Sequence, residues 1–373
     1  MWYFRSPEII FGEESLSYLE TLGIGKAVIV TDKNIAAAGM VDRVKANMPD
    51  TECMVIDDIP EEPRYADIAG HLVKIDAFAP DYFIAVGGGS SIDSAKILFF
   101  KHERPDLEFY DVTPLVKLNL RKKSRLIAIP TTSGTGSECT WAAVITDEKE
   151  KRKDELASPE IMPDYAILDP EMVKTLPKTQ TINTATDAMT HAIEGYTSRW
   201  NNPYSDAMAE KAMELIVPSI IEVSAHPDNI DSRNSLHIGA SMAGLSFSNS
   251  QIGLAHALGH SLGAIFHIAH GKSVGIFLPE VIRFNYSTVK ERYDRLNRII
   301  PEKYRKPTLD QSMEFILKTI GQNTKISETG ISRELYGQNM ENLISLAAES
   351  TGIITNPRDA NMKDIKNMFE NAY

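Results

Sequence analysis

The clearest indication of the fold is the stretch Asp81-Tyr82-Phe83-Ile84-Ala85-Val86-Gly87-Gly88-Gly89-Ser90. Its apolar run, bounded by turn formers, is typical of a strand that is buried in a parallel sheet. The glycines then lead into a helix, which we predict over residues 91–101. Bare backbone N–H groups at the start of a helix can bind a phosphate, and glycine permits close approach. An ordinary tight turn explains this motif equally well when it is considered alone.

The same alternation of strand and helix signals recurs on both sides of this stretch. We predict further strands at residues 8–12, 26–32, 52–57, 125–130, 142–146 and 165–169. Helices are predicted between them, including residues 34–48 and 64–78, and a charged turn at 147–154. Repeated βαβ units imply a parallel sheet with helices on both faces. After Asp169 only helical periodicity recurs, so we predict an α/β domain over residues 1–179 and an all-helical domain over residues 180–373.

Composition narrows the class of protein. The chain has 43% hydrophobic and 24% charged residues, which is ordinary for a soluble globular protein. Its net charge of −12 argues against nucleic-acid and anionic-membrane partners. Two cysteines exclude a disulfide framework, and we find neither a secretory signal nor an apolar run of membrane-spanning length. A cytoplasmic location is therefore expected.

Histidines are concentrated in one apolar segment, residues 253–271, which contains four of the nine in the chain. His256 and His260 are four residues apart, so both side chains lie on one face of a helix. Asp187 and His191 have the same spacing in a second apolar segment. Buried imidazoles need partners, and a metal ion is a good partner for neutral imidazole. Any one of these histidines alone is better explained as a core residue that is hydrogen-bonded to a carbonyl or carboxylate.

The spacing of the histidines also constrains the backbone. His256 and His270 would lie about 21 Å apart on one straight helix, whereas the ligands of one ion converge to about 2 Å from it. The helix must therefore end between them, and Gly263 and Gly271 are the expected places for irregular backbone. The candidate ligands are Asp187 and His191 on one helix, with two further histidines on the next two helices. Spacing alone leaves open whether His256 or His260 is the ligand, and it assigns no role to His267.

Two further motifs suit a nucleotide cofactor. Residues 130–138, Pro-Thr-Thr-Ser-Gly-Thr-Gly-Ser-Glu, follow a predicted strand at the edge of the sheet where ligands bind. Asp32 ends another strand, where a carboxylate can accept hydrogen bonds from a ribose and repel a 2′-phosphate. The alternatives are an ordinary polar loop for residues 130–138 and a helix N-cap for Asp32, and both have equal weight.

Taken together and in this order, the motifs resemble the iron-containing (group III) alcohol dehydrogenase family over nearly the whole chain. The matching segments are Thr31-Asp32-Lys33, residues 87–90 with Asp93 and Lys96, residues 130–138, residues 187–194, residues 256–263 with His270-Gly271, and residues 351–358. The resemblance implies a Rossmann-like, dinucleotide-binding α/β domain and an all-α C-terminal domain, in a dehydroquinate synthase-like architecture.

The resemblance also assigns residues. It implies four metal ligands, which are Asp187, His191, His256 and His270. It implies cofactor contacts from Asp32, Gly88, Gly89, Ser90, Asp93, Thr131, Thr132, Thr135, Lys153 and His260. Within this set, residues 88–90 match the pyrophosphate-binding turn, Asp32 matches the acidic residue associated with NAD, and His260 matches a catalytic histidine near the nicotinamide.

The expected reaction is reversible hydride transfer between a primary alcohol or its aldehyde and NAD(H), with NADP less favoured. Fe²⁺ is the expected metal and Zn²⁺ the second choice, and His260 is expected to relay a proton to solvent. The expected partners are a small-molecule substrate and further copies of the chain, as a homodimer or larger assembly. The alternatives are a glycerol dehydrogenase-like or maleylacetate reductase-like oxidoreductase, and a dehydroquinate synthase-like lyase. The lyase would need a basic pocket for an anionic substrate, and no basic cluster lies near the histidine motifs.

Overall fold

A six-stranded, fully parallel sheet forms the centre of the N-terminal half, with the strand order β1-β8-β5-β4-β2-β3. The computed structural model describes residues 3–148 and 152–373, and the side chains of residues 152 and 153 lie outside the described part. The strands are β1 Glu8–Phe11, β2 Lys26–Val30, β3 Glu52–Ile56, β4 Tyr82–Gly87, β5 Arg125–Pro130, β6 Ala142–Asp147, β7 Arg152–Ala157 and β8 Tyr165–Leu168. The helices of this half are α1 Lys33–Ala37, α2 Met40–Ala46, α3 Tyr65–Phe78 and α4 Gly89–Glu103.

The central strands are buried on both faces, as their continuous apolar runs predict. Alternate residues point to opposite sides of the sheet, so each strand contributes to two cores. Ile29, Ile84 and Ile127 are completely buried in the core on one face. Val28 and Phe83 are completely buried in the core on the other face. The predicted parallel sheet is therefore confirmed.

Two local predictions in this half are wrong. The helix predicted over residues 34–48 is two helices, because Gly39 has a left-handed backbone (φ 76°) that breaks the helical hydrogen bonding. The charged segment that we predicted as a turn contains β7, which pairs with β6 as a separate antiparallel ribbon. A two-stranded ribbon has a side that faces water, and it therefore accepts the exposed Glu155 while Leu156 is buried.

The C-terminal half is helical, and no strand occurs among residues 176–373. Its helices are α5 Lys178–Thr197, α6 Pro203–Ala225, α7 Ile230–Ser248, α8 Leu254–Phe266, α9 His270–Ile299, α10 Leu309–Thr319, α11 Arg333–Gln338, α12 Met340–Ala348, α13 Gly352–Thr355 and α14 Met362–Ala372. Helix α9 is interrupted at Val289, whose backbone is not helical (φ −129°). Small buried residues on α5 such as Ala185 and Ala188 belong to a core shared with α6 and α7. The predicted all-helical half is confirmed.

Residue contacts divide the chain into two compact units, Arg5–Thr175 and Leu176–Tyr373, and the second also includes Tyr3 and Phe4. The division falls shortly before the predicted boundary at residue 180. No helix in the described part of the chain has both the length and the apolar character that crossing a membrane requires.

Candidate metal and cofactor sites

Three helices of the C-terminal unit bring four candidate metal ligands together. Asp187 and His191 lie on α5, His256 is in the first turn of α8, and His270 is the first residue of α9. The Nε2 atoms of the three histidines surround one oxygen, Oδ1 of Asp187. They lie 3.1 Å from it for His270, 3.4 Å for His256 and 3.8 Å for His191. Donor atoms of Asp187, His256 and His270 all lie within 4.8 Å of one another.

The donor atoms of this cluster fit a divalent metal ion. Oδ1 of Asp187 and Nε2 of His256 are buried, and neither has a hydrogen-bond partner among residues 3–148 and 152–373. Leaving such atoms unpaired is costly, and a cation at the point where they converge would satisfy both. Imidazole nitrogens with one carboxylate oxygen are a donor set that suits zinc and ferrous iron. The observation that supports a metal site is therefore the convergence of unpaired buried donors.

The electrostatics of the cluster are strongly coupled. Burial by itself would raise the pKa of Asp187, but the imidazoles of His191 and His270 outweigh it and hold that pKa well below its usual range. Burial would lower the pKa of His256, whereas the carboxylates of Glu194 and Asp187 raise it to about 9. A second positive charge at this position, from a metal ion, would require His256 to be neutral, so metal binding is expected to release a proton.

The chain reversal between His256 and His270 occurs at neither of the two glycines where we expected it. Helix α8 ends at Phe266, and His267 has a left-handed backbone (φ 54°) that terminates the helix. Both glycines lie within helices, and they serve close packing instead. A Cβ atom on Gly271 would overlap the carbonyl oxygen of Asn183 on α5, and a Cβ on Gly263 would lie 3.2 Å from the carbonyl oxygen of Ile268. His267 thus acquires a backbone role, and its side chain is exposed.

The structure distinguishes His256 from His260, which the spacing could not do. His256 is almost completely buried and faces Asp187, whereas His260 is partly exposed. The ring of His260 lies beside the cluster, 5.0 Å from the ring of His270 and 5.8 Å from that of His256. His260 is therefore placed next to the converging donors, with access to solvent.

Two residues contact the cluster that were not predicted from the sequence to touch a metal ligand. The ring of Phe247 stacks on that of His191 at 4.1 Å and supplies an apolar wall for it. Glu194 accepts a hydrogen bond from Nδ1 of His256 at 2.5 Å. The sequence gives little local signal for these contacts: Glu194 is the last residue of the matching segment 187–194, and Phe247 lies in none of the matching segments.

The predicted cofactor loops pack against each other in the N-terminal unit. Gly87 ends β4 with a backbone (φ 157°) that favours glycine, and α4 begins at Gly89. A Cβ on Gly88 would lie 3.4 Å from Thr132, and one on Gly89 would lie 3.0 Å from Thr135. The glycine turn and the threonine loop therefore leave little room between them, and both follow the carboxyl ends of neighbouring parallel strands.

The other predicted cofactor residues differ in the hydrogen bonds that their side chains make. Oγ1 of Thr131 is buried and has no hydrogen-bond partner in the described part of the chain. Ser90 donates its hydroxyl to the backbone carbonyl of Glu61. Asp32 is the N-cap of α1, and its Oδ1 accepts hydrogen bonds at 2.8 and 3.1 Å from two backbone N–H groups. Lys153 is on β7, and its side chain lies outside the described part of the chain.

Asp93 is held by groups of the chain itself. Its Oδ1 accepts a hydrogen bond from Oγ of Ser137 at 2.5 Å and lies 3.4 Å from Nζ of Lys96. Its Oδ2 accepts from the backbone N–H of Val144 at 2.9 Å. These contacts tie α4 to the segment after the threonine loop, and a direct contact between Asp93 and a cofactor stays a prediction.

Comparison with known proteins identifies the class. A family model described as iron-containing alcohol dehydrogenase matches residues 6–170. A second model, described as the C-terminal part of the Fe-containing alcohol dehydrogenase family, matches residues 181–373. The chain belongs to the iron-containing alcohol dehydrogenase family and is an oxidoreductase that acts on CH–OH groups. The family expected from the motifs is thereby confirmed.

Several known proteins are similar to this chain over its whole length. The NADPH-dependent butanol dehydrogenase of Clostridium saccharobutylicum is 34% identical over 385 residues, covering 100% of this chain and 98% of that protein. The iron-containing alcohol dehydrogenase of Thermococcus thioreducens has the same fold, with a TM-score of 0.90, 30% identity, and coverage of 100% and 99% of the two chains. A sulfoacetaldehyde reductase from Bifidobacterium kashiwanohense, solved with NAD⁺, has a TM-score of 0.90, 25% identity, and coverage of 100% and 98%. The chain spans 46% of the longer aldehyde-alcohol dehydrogenases of Entamoeba histolytica and Streptococcus pneumoniae.

Proposed function

We propose that this protein catalyses reversible hydride transfer between a small primary alcohol or its aldehyde and NAD(H), with the metal held by Asp187, His191, His256 and His270. The observation that carries the proposal is the convergence of three histidine Nε2 atoms on one buried oxygen of Asp187. That oxygen and Nε2 of His256 have no hydrogen-bond partner within the described part of the chain. Membership of the iron-containing alcohol dehydrogenase family supports the same assignment.

The residues of the chain would have the following roles in this reaction. The three imidazoles and the carboxylate would bind the ion, which would supply Lewis acidity that lowers the pKa of an alcohol hydroxyl. His260 is partly exposed beside the cluster, and we propose that it contacts the nicotinamide and passes the alcohol proton to solvent. Phe247 fixes the orientation of His191 by stacking on it.

We propose that the cofactor is bound by the glycine turn at residues 88–90 and by Thr131, Thr132 and Thr135. The N-terminus of α4 and the backbone N–H groups of the turn suit a pyrophosphate. Lys153 and Asp93 complete the proposed set of cofactor residues. These groups lie in the N-terminal unit, on the turn and helix α4 that follow β4, in the loop that follows β5 and on β7.

We propose NAD rather than NADP as the preferred cofactor, because of Asp32. Both capping bonds of Asp32 go to Oδ1, while Oδ2 lies 3.9 Å from where a Cβ on Gly87 would be, beside the proposed pyrophosphate turn. A carboxylate there repels a 2′-phosphate. The relatives differ on this point, since the name of one specifies NADPH and another was solved with NAD⁺.

Fe²⁺ is the proposed metal, in line with the family, and Zn²⁺ is the alternative that the donor set also suits. We further propose a cytoplasmic protein with a domain boundary near residue 180. A homodimer or larger assembly is proposed because β1 is an edge strand whose Phe11 is 62% exposed.

The test is metal replacement under anaerobic conditions. The metal is stripped, Fe²⁺ or Zn²⁺ is added back separately, and oxidation of NADH or NADPH is followed with short linear aldehydes. We expect activity to be lost on stripping and restored by Fe²⁺, with NADH preferred. Restoration by Zn²⁺ alone would contradict the proposed metal but would support the proposed reaction. Binding of NADH without aldehyde-dependent oxidation under any metal would contradict the proposed reaction.

A further inference from the structure

Glu194 is a buried carboxylate near the end of α5 that the proposed reaction does not use. Only 4% of its surface is exposed. Its Oε2 accepts hydrogen bonds from the backbone N–H of Gly253 at 2.9 Å and from Nδ1 of His256 at 2.5 Å. Its Oε1 accepts from the backbone N–H of Ala255 at 2.6 Å. One side chain therefore binds both the start of α8 and the ring of a proposed metal ligand.

These contacts determine which nitrogen of His256 can bind a metal. An ionised carboxylate can only accept hydrogen bonds, so Nδ1 of His256 must carry a hydrogen. In the neutral imidazole the other nitrogen, Nε2, then keeps its lone pair. That nitrogen faces Oδ1 of Asp187 at 3.4 Å and has no hydrogen-bond partner among the residues that the structure describes. Glu194 thus selects the tautomer that places a free electron pair in the cluster.

The carboxylate also replaces a missing helix cap. The N-cap residue of α8 is Gly253, which has no side chain to accept the first backbone N–H groups. Glu194 accepts two of them, from Gly253 and Ala255, at the helix end where negative charge is favourable. Since His256 is in this first turn, the backbone and the ring of His256 are oriented by the same group.

The C-terminal motif supports this arrangement from the other side of Gly253. A Cβ on Gly253 would lie 2.9 Å from Oε1 of Glu194, so a side chain there would displace the carboxylate. A Cβ on Gly352 would overlap the carbonyl oxygen of Gly253. The hydroxyl of Thr355 donates to the carbonyl of Ile252 at 2.6 Å. Residues 351–358, which the proposed reaction leaves without a role, therefore hold the segment that Glu194 caps.

We propose that Glu194 is a positioning residue for metal binding, which holds His256 in the tautomer and orientation that present Nε2 to the ion. The inference rests on the proposed function, because it presumes that His256 is a ligand. Groups that orient a ligating histidine through its other nitrogen typically contribute 10–100-fold to metal affinity. An effect of that size is expected at Glu194.

The experiment compares Glu194→Gln with Thr355→Val in the full-length, metal-stripped protein. Glutamine cannot accept all three hydrogen bonds: one orientation turns its NH₂ towards Nδ1 of His256, and the other towards the N–H of Ala255. Thr355→Val loosens the same segment but leaves the carboxylate on His256. Co²⁺ affinity is measured by competition with a chromophoric chelator, with the visible absorption of bound Co²⁺ as a report on ligand geometry. Thermal unfolding of the metal-free proteins reports stability separately.

We expect Glu194→Gln to weaken Co²⁺ binding by about 10–100-fold and to change the absorption band, while Thr355→Val changes affinity by less than about threefold. Equal affinity in Glu194→Gln and the wild type would overturn the inference, as would equal losses in both variants. If wild-type protein itself binds no Co²⁺ or Zn²⁺, the proposed function fails rather than the role of Glu194. If Glu194→Gln does not fold, Gly253→Ala displaces the intact carboxylate, and unchanged affinity in that variant would overturn the inference.

Discussion

Replacing Lys96 by methionine should destabilise the N-terminal unit through one buried group. Lys96 is completely buried on α4. Its Nζ donates to Ser137 Oγ at 2.8 Å, to Thr140 Oγ1 at 2.9 Å and to the carbonyl of Ala142 at 2.6 Å, and it lies 3.4 Å from Oδ1 of Asp93. Burial lowers the pKa of Lys96, and the charge of Asp93 opposes that change. Four oxygens surround the ammonium group, and methionine satisfies none of them.

The size of the effect can be worked from these contacts. Removing one partner of a buried ion pair costs about 3–5 kcal/mol. Asp93 keeps its hydrogen bonds from Ser137 and Val144, and its side chain is 14% exposed, so water can partly replace the lost cation. Methionine fills a similar volume, and no large cavity is expected. We therefore expect the free energy of unfolding to fall by about 3 kcal/mol, the lower end of that range.

The assay is urea-induced unfolding of the metal-free protein, with Lys174→Met as the matched control. Lys174 is in the same unit, but its side chain is 51% exposed and it pairs with Glu171 at the surface. Exposed pairs contribute about 0–1 kcal/mol, so the control should unfold almost like the wild type. If the two variants were destabilised by the same small amount, the reasoning from buried hydrogen bonds would be refuted.

Three further predictions concern the proposed sites. His256→Ala or His270→Ala should abolish turnover and lower the bound metal measured by elemental analysis, and full activity in either would remove the ligand assignment. Asp32→Ser keeps an N-cap but removes the negative charge; the ratio of kcat/KM for NADPH to that for NADH should rise about tenfold or more, as expected for about 1.4 kcal/mol of lost repulsion. An unchanged ratio would leave Asp32 as a helix cap only. His267→Gly should raise the free energy of unfolding by about 1 kcal/mol, because glycine adopts the left-handed backbone without the cost that other residues incur. The metal content should not change. Loss of metal in this variant would show that the side chain of His267 contributes to metal binding.

Much of the N-terminal unit could be predicted because its signals are local. The run Tyr82–Val86 and the glycines after it specify a buried strand and a turn within a few residues, whatever packs around them. Prediction failed where local signals conflict with pairing. The charges in residues 147–154 indicated a turn, but pairing with β6 made residues 152–154 part of strand β7. A single glycine at position 39 split a helix whose apolar periodicity continues through it.

The ligand types and their helical spacing were readable from the sequence, because residues four apart share a face of any helix. Which of His256 and His260 faces Asp187 depends on how α8 packs on α5, and spacing carries no information about that. The contact between Glu194 and His256 joins residues that are 62 positions apart in the chain, so no local sequence pattern predicts it. The close approach of Gly271 to the backbone of Asn183 on α5 likewise joins residues that are distant in the chain. The sequence alone specified the elements and the chemistry of the donors, whereas only packing between helices brought those donors to one point, because their convergence requires contacts between residues distant in the chain.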